Sequence, residues 1–164
     1  MIIYLKNKST LQIDDFYFKC SIGAKGLSKK KIEGDKKTPK GIFKIENLYY
    51  RRDRVSKPKT KLKCIPIKKN MGWCHDINDK KNYNKLIKTN QKTKYEKLYR
   101  SDHKYDFLVP IKYNFKKRII GKGSCIFIHL TKNYKPTAGC IALKKKDFLI
   151  MLMLIDKKTK INIS

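Results

Sequence analysis

The sequence predicts a mainly β fold with a few short helices and one helix near the C-terminus. Three observations lead there. Short runs of aromatic and β-branched residues recur along the chain, and such side chains suit a pleated, half-buried surface. Clusters containing Gly, Pro, Asn and Ser separate those runs, as turns require. Only Phe148–Ile155 (FLIMLMLI) is an unbroken apolar stretch that reads as a buried helix.

In chain order, Met1–Lys6 and Phe16–Cys20 read as strands, with a polar Asn-Lys-Ser-Thr turn between them. The segment IGAKGLSKKKIEGDKKTPKGIF follows. Its Gly23, Gly26, Gly34 and Gly41, with Pro39, read as successive turns that feed a strand over Ile42–Tyr50. The middle, Arg51 to Lys104, is the least regular part and is expected to wall a cleft. Within it Leu62–Ile67 reads as a strand, and Asp79–Lys88 and Tyr95–Arg100 as short helical turns. Asp106–Tyr113 and Gly123–Leu130 read as strands. Alternation in the second puts Cys125, Phe127 and His129 on one face and Ile126 and Ile128 on the other. Cys140 and Ala142 likewise share a face, opposite Ile141 and Leu143. Asp147 stands where the helix begins, and Lys160–Ser164 closes as a strand. With no internal repeat or low-complexity linker, residues 1–164 are expected to form one domain.

A formal net charge of +29 and a pI near 10.0 should attract polyanions without sequence specificity. Only Arg51, Arg52, Arg54, Arg100 and Arg118 are arginines, leaving 37 lysines among the 42 basic residues. Base readout favours the arginine fork, and no nucleic-acid-binding motif is visible, so no specific nucleic acid is expected. Five cysteines without a CxxC argue against a disulfide framework and structural zinc. Cys74-His75-Asp76 lacks a second ligand pair at metal spacing. Neither a metal nor a cofactor is expected. The N-terminus MIIYLKNKST has no signal-peptide pattern, and no apolar run approaches the ~20 residues of a membrane helix.

The chemistry concentrates in Gly123–Leu143, GSCIFIHLTKNYKPTAGCIAL. It places His129 near a strand end and Cys140 just after a glycine, with TKNYKPTA folding the chain back as a hairpin between them. A thiol beside an imidazole is a nucleophile with its base. Free cysteine titrates near ~8.5 and is mostly protonated at neutral pH, whereas an adjacent imidazolium can make thiolate the majority form. The plainer alternative is that both are core residues. His75 and His103 are rival bases, and Cys125, read as lying inside a strand, is the rival nucleophile. Trp73, Tyr83 and Tyr105 pack in the core or line a groove.

The block from His129 through Pro136-Thr137-Ala138-Gly139-Cys140-Ile141-Ala142-Leu143 resembles the signature of the L,D-transpeptidase (YkuD-type) catalytic domain. Glu33-Gly34-Asp35 followed by Thr38-Pro39-Lys40-Gly41-Ile42-Phe43 resembles that family's N-terminal element. Gly72-Trp73-Cys74, Tyr83-Asn84, Leu98-Tyr99-Arg100 and Tyr105-Asp106 are similar to the connecting motifs of a small single-domain branch. The resemblance runs from about Ser21 to the C-terminus, and two separated motifs in order are more specific than either alone.

The resemblance implies a β-sandwich of mixed sheets and a monomer acting on peptidoglycan stem peptides or wall precursors. Cys140 would attack the carbonyl joining a diamino acid to a terminal D-alanine, giving a thioester, with His129 as base. Backbone N–H groups around Ala138, Gly139 and Cys140 would hold the oxyanion, and Thr137 would brace the turn or orient the imidazole. Most members carry a second histidine where this chain has Ala138, and many an arginine where it has Ala142. The second change removes a ligand for a substrate carboxylate; Arg100 is the expected substitute, and Tyr105 and Trp73 are the expected groove residues. Two alternatives stand beside transpeptidation. One is an L,D-carboxypeptidase or amidase using the same pair; the other is a non-catalytic basic module binding anionic polymers. The implied substrate places the protein in the cell envelope or periplasm, although no leader is read in the sequence and a cytoplasmic target is left open.

Overall fold

A computed structural model describes residues 1–89 and 92–164. It is mainly β, with mixed parallel and antiparallel pairing and a single α-helix among the described residues. The chain opens as an antiparallel meander of β1 (Ile2–Lys6), β2 (Thr10–Ile13) and β3 (Phe16–Ser21). Strand β2 is absent from the sequence expectation because its four residues begin inside the polar turn. Asn7 and Lys8 take left-handed φ of 50° and 57°, which tightens that turn and frees Thr10 to pair.

The next glycine-rich segment forms β4 (Leu27–Ser28) beside β5 (Thr38–Pro39), then β6 (Gly41–Lys44) and β7 (Leu48–Tyr50). A single strand over Ile42–Tyr50 is therefore corrected to two. Between them the chain crosses from one flank of the main sheet to the other. Ile45 bridges Ile111, and the Glu46 amide donates to the Pro110 carbonyl at 2.8 Å.

The middle contains β8 (Cys64–Pro66), β9 (Met71–Cys74), β10 (Leu86–Lys88) and β11 (Tyr95–Lys97). The helical turns expected at Asp79–Lys88 and Tyr95–Arg100 are corrected: β10 and β11 pair antiparallel on either side of β9. Ladder bonds to both sides of β9, with Trp73 and Leu98 buried there, outweigh the local helical spacing.

The last third holds β12 (Phe107–Pro110), β13 (Phe127–Leu130), β14 (Ile141–Leu143), α1 (Lys145–Leu154) and β15 (Lys160–Ile163). Asp147 lies in the first turn of α1, where a carboxylate complements the helix dipole. This helix is far shorter than a bilayer crossing, and none among the described residues is long and apolar enough for one.

The main sheet has ten strands in the order β6-β15-β1-β2-β3-β14-β13-β12-β7-β8. It curls, so that Ile3, Leu11 and Phe18 from one flank share a core with Leu48, Phe107 and Ile128 from the other. Phe148, Met151 and Leu152 of α1 complete that core. Alternation then aims Tyr49, Leu108, Phe127 and Cys140 to the opposite face, where Trp73 of the three-stranded β10-β9-β11 sheet covers them. The cleft lies at the edge of this second layer.

Candidate active site

The strand pairing brings Cys140 and His129 to one face. β13 and β14 run parallel, with His129 opposite Ala142 and Ile128 opposite Ile141. The hairpin expected between them is thus corrected to a parallel return, in which residues 131–140 travel back alongside Ile22–Ala24. Cys140, two residues before Ala142, falls level with Phe127, diagonal to His129. A strand spacing of ~4.8 Å and a two-residue rise of ~6.6 Å put their backbones about 8 Å apart, a separation two side chains can span.

Both residues line one cavity of about 370 Å³. Arg100, Tyr105, Thr137 and Ala138 line it too, while Trp73 and Gly139 are not among its lining residues. Trp73 is 3 % exposed, donates its indole N–H to Asn84 Oδ1 at 3.0 Å and packs edge-on against Phe127. It supports the floor from below.

The turn before Cys140 is braced from two sides. Thr137 Oγ1 accepts the Gly139 N–H at 3.1 Å and donates to the Cys140 carbonyl at 2.6 Å. Thr38, fully buried, donates to the Gly139 carbonyl at 2.8 Å and accepts the Gly23 N–H at 2.9 Å. Gly139 has φ +143°, and a Cβ there would lie 2.8 Å from the Lys37 carbonyl oxygen, so close approach of two backbones fixes glycine. The Gly139 N–H is engaged by Thr137, whereas the Cys140 N–H has no hydrogen-bond partner among the described residues.

His129 Nδ1 lies 2.8 Å from the Leu130 carbonyl oxygen. A carbonyl only accepts, so Nδ1 carries the proton and Nε2 keeps its lone pair. Thr137 therefore braces the turn, and a backbone carbonyl orients the imidazole. Tyr105 packs edge-on against the ring, with centroids 5.2 Å apart, and its hydroxyl donates to Glu96 at 3.0 Å. Arg100 reaches the same Glu96 oxygen at 3.1 Å and holds Asp102 in a two-point pair at 2.9 and 2.7 Å.

Burial governs the ionisation of both reactive groups. It pushes the Cys140 thiol up to about 12, against the lowering effects of the Phe127 amide and Lys31. It pulls His129 down to about 4, opposed by the Leu130 carbonyl and reinforced by Lys104 and Arg100. The thiolate–imidazolium pair expected from the sequence is therefore replaced, in the resting protein, by neutral thiol and neutral imidazole. The thiol donates to the Cys125 carbonyl at 3.1 Å. Cys125 has φ 54°, so it lies in a turn before β13 and not inside the strand; that turn aims its carbonyl at Cys140.

The rival histidines stand differently. His103 Nε2 lies 3.0 Å from the Thr131 carbonyl, while His75 lines the cavity wall. Sequence reasoning missed Lys31, Glu33, Glu96 and Ser124, which also line the cavity. Glu33 accepts from Ser124 Oγ at 2.7 Å and from the Tyr83 hydroxyl. The Glu-Gly-Asp motif quoted for the family was the available signal for Glu33; Lys31 and Glu96 lay in unremarkable charged runs.

A model of the YkuD L,D-transpeptidase catalytic domain matches residues 1–163. The chain belongs to this family. No curated protein matches the chain. Among solved structures it is similar to the helical cell shape determining protein Pgp2 from Campylobacter jejuni, with a TM-score of 0.53 and 19% identity. That alignment covers 99% of this chain and 46% of Pgp2, so the chain spans just under half of that protein. A lysine-to-alanine variant of Pgp2 gives a TM-score of 0.50 at 20% identity over the same shares. These likenesses concern the fold.

Proposed function

We propose that this L,D-transpeptidase-family protein transfers an acyl group of a peptidoglycan stem peptide through a thioester on Cys140. The observation that carries the reading is the shared face of Cys140 and His129 in one cavity, with Nδ1 fixed so that Nε2 is the free base. The thiol rotates off the Cys125 carbonyl and passes its proton to His129 Nε2 as sulfur attacks the carbonyl carbon. Neutral partners suit this concerted transfer, because no buried charge exists beforehand.

The oxyanion forms beside the Cys140 N–H, the open donor at that turn. Collapse breaks the carbon–nitrogen bond, and His129 returns the proton to the departing amine of the terminal residue. An acceptor amine then attacks the thioester carbonyl and gives its proton to His129, and the carbon–sulfur bond breaks as Cys140 takes that proton back to become the neutral thiol again. The working place implied by this substrate is the cell envelope, with one domain acting as a monomer.

A carbapenem, which acylates such a nucleophile, provides the test. Intact mass measurement and peptide mapping are expected to find one adduct, on Cys140. Cys140→Ala should lose both adduct and turnover, and Cys125→Ala should keep the adduct. An adduct on Cys125, or turnover surviving Cys140→Ala, overturns the reading. Product analysis with and without an acceptor peptide separates transfer from hydrolysis.

A further inference from the structure

We propose that Lys31 receives the terminal carboxylate of the donor peptide, and this rests on the acyl transfer proposed above. A donor ending in a free carboxylate carries that charge three bonds from the scissile carbonyl carbon. Its ligand must therefore stand at the Cys140 turn. Position 142 supplies none: Ala142 is buried beside His129 in register. Arg100 spends three of its five guanidinium N–H groups on Asp102 and Glu96, which already balance its charge.

Lys31 is built into the right place. It lines the cavity with Cys140 and is 4 % exposed. Its methylenes press on Gly123, where a Cβ would meet Cε at 2.8 Å, and its Nζ lies 3.6 Å from a Cβ built on Gly139. Asp35 holds Nζ at 2.7 Å. The same carboxylate accepts the Ile32 and Lys37 amides, each at 2.9 Å, so the anchor is itself fixed. An ammonium has three donors. Two remain without a protein partner among the described residues, on a side chain almost wholly withdrawn from water. Such donors are costly to bury unfilled, and a carboxylate is the acceptor that fills two at once. The other lysines on the cavity wall are more accessible: Lys132 and Lys135 are exposed and Lys104 is half-buried. The Lys31 charge also reaches the nucleophile, since it lowers the thiol of Cys140 against burial.

Binding to the Cys140→Ala protein tests this without chemistry. Calorimetry compares a stem tetrapeptide ending in a D-alanine carboxylate with its carboxamide. The Cys140→Ala protein is expected to prefer the acid by at least ~10-fold, about 1.4 kcal/mol. Adding Lys31→Met should erase that preference while leaving amide affinity unchanged, and Lys31→Arg should restore part of it. Should Lys31→Met fail to fold, Lys31→Gln carries the same comparison. A preference that survives loss of the lysine, or no preference with Lys31 present, overturns the proposal. Failure of the thioester reading appears elsewhere, as absent adduct and turnover in the unsubstituted protein, and leaves this binding ratio untouched.

Discussion

The Cys140 thiol donates to the Cys125 carbonyl at 3.1 Å and makes no hydrogen bond to His129 among the described residues. The thiol is held protonated, 7 % exposed, on a backbone acceptor. Its thiolate fraction at neutral pH is consequently far below that of a free cysteine, since burial pushes it up to about 12. Iodoacetamide at pH 7 should label Cys140 about a hundredfold or more slower than an unhindered thiol. The rate, followed by peptide mapping, should still be rising at pH 9; a plateau near or below ~8.5 would show a preformed thiolate.

His129 makes stability depend on pH. The folded protein takes up the imidazole proton near 4, whereas the unfolded chain takes it up near the ordinary 6.5. The contribution of the neutral ring is complete above the unfolded value and is lost as pH falls from there toward the folded one. The loss should approach roughly 3 kcal/mol. Urea titrations at pH 7 and pH 4.5 should show a larger drop for the unsubstituted protein than for His129→Gln. Equal drops would mean that the ring is hydrated and not buried.

Much of the site was legible because its chemistry is local. His129 and Cys140 lie eleven residues apart, and period-two alternation correctly put each on the face opposite its isoleucine neighbours. What the sequence concealed depends on distant pairing. The parallel return of β14 is held by its far-side partner β3, where Ala142 pairs with Ser21, the crossing at Ile45 by its bridge to Ile111, and β9 by strands on both its sides, none of which local spacing reveals. The ionisation state was misread for the same reason: an imidazole next to a thiol promises a charged pair only in a solvated site, and solvation follows from the tertiary cover of Trp73 and Tyr105.

Thr38 links the two separated motifs, since its hydroxyl joins Gly23 to Gly139. Thr38→Val keeps the shape and strands one buried donor and one buried acceptor. Each costs ~1–3 kcal/mol, so chemical denaturation should show a total loss of about 2–6 kcal/mol. Thr38→Ser should recover most of it. Turnover should fall with Val and return with Ser, because the same bond steadies the backbone of the proposed oxyanion turn.

Gly139→Ala should damage the turn more selectively. The added methyl meets the Lys37 carbonyl at 2.8 Å and Ile126 Cδ1 at 3.3 Å, at a φ of +143° that side chains rarely adopt. Strain of this kind costs ~1–3 kcal/mol. Carbapenem acylation of Cys140 should slow by at least about tenfold while the protein remains folded by far-UV circular dichroism. Unchanged acylation would show that the turn tolerates a shift without consequence for the thiol.

Arg100 separates a framework role from a substrate role. Its guanidinium clamps Asp102, holding that carboxyl down at about 2, and steadies Glu96, which in turn accepts the Tyr105 hydroxyl packed on His129. These groups are about a third exposed, so solvent screens the pairs and each contributes ~1 kcal/mol or less. Arg100→Ala should therefore lower stability by about 1 kcal/mol and reduce kcat several-fold through a looser imidazole. KM for an acid-terminated donor should change less than about threefold. A large rise in KM with kcat intact would instead make Arg100 the carboxylate ligand, through the two guanidinium N–H groups that Asp102 and Glu96 leave open.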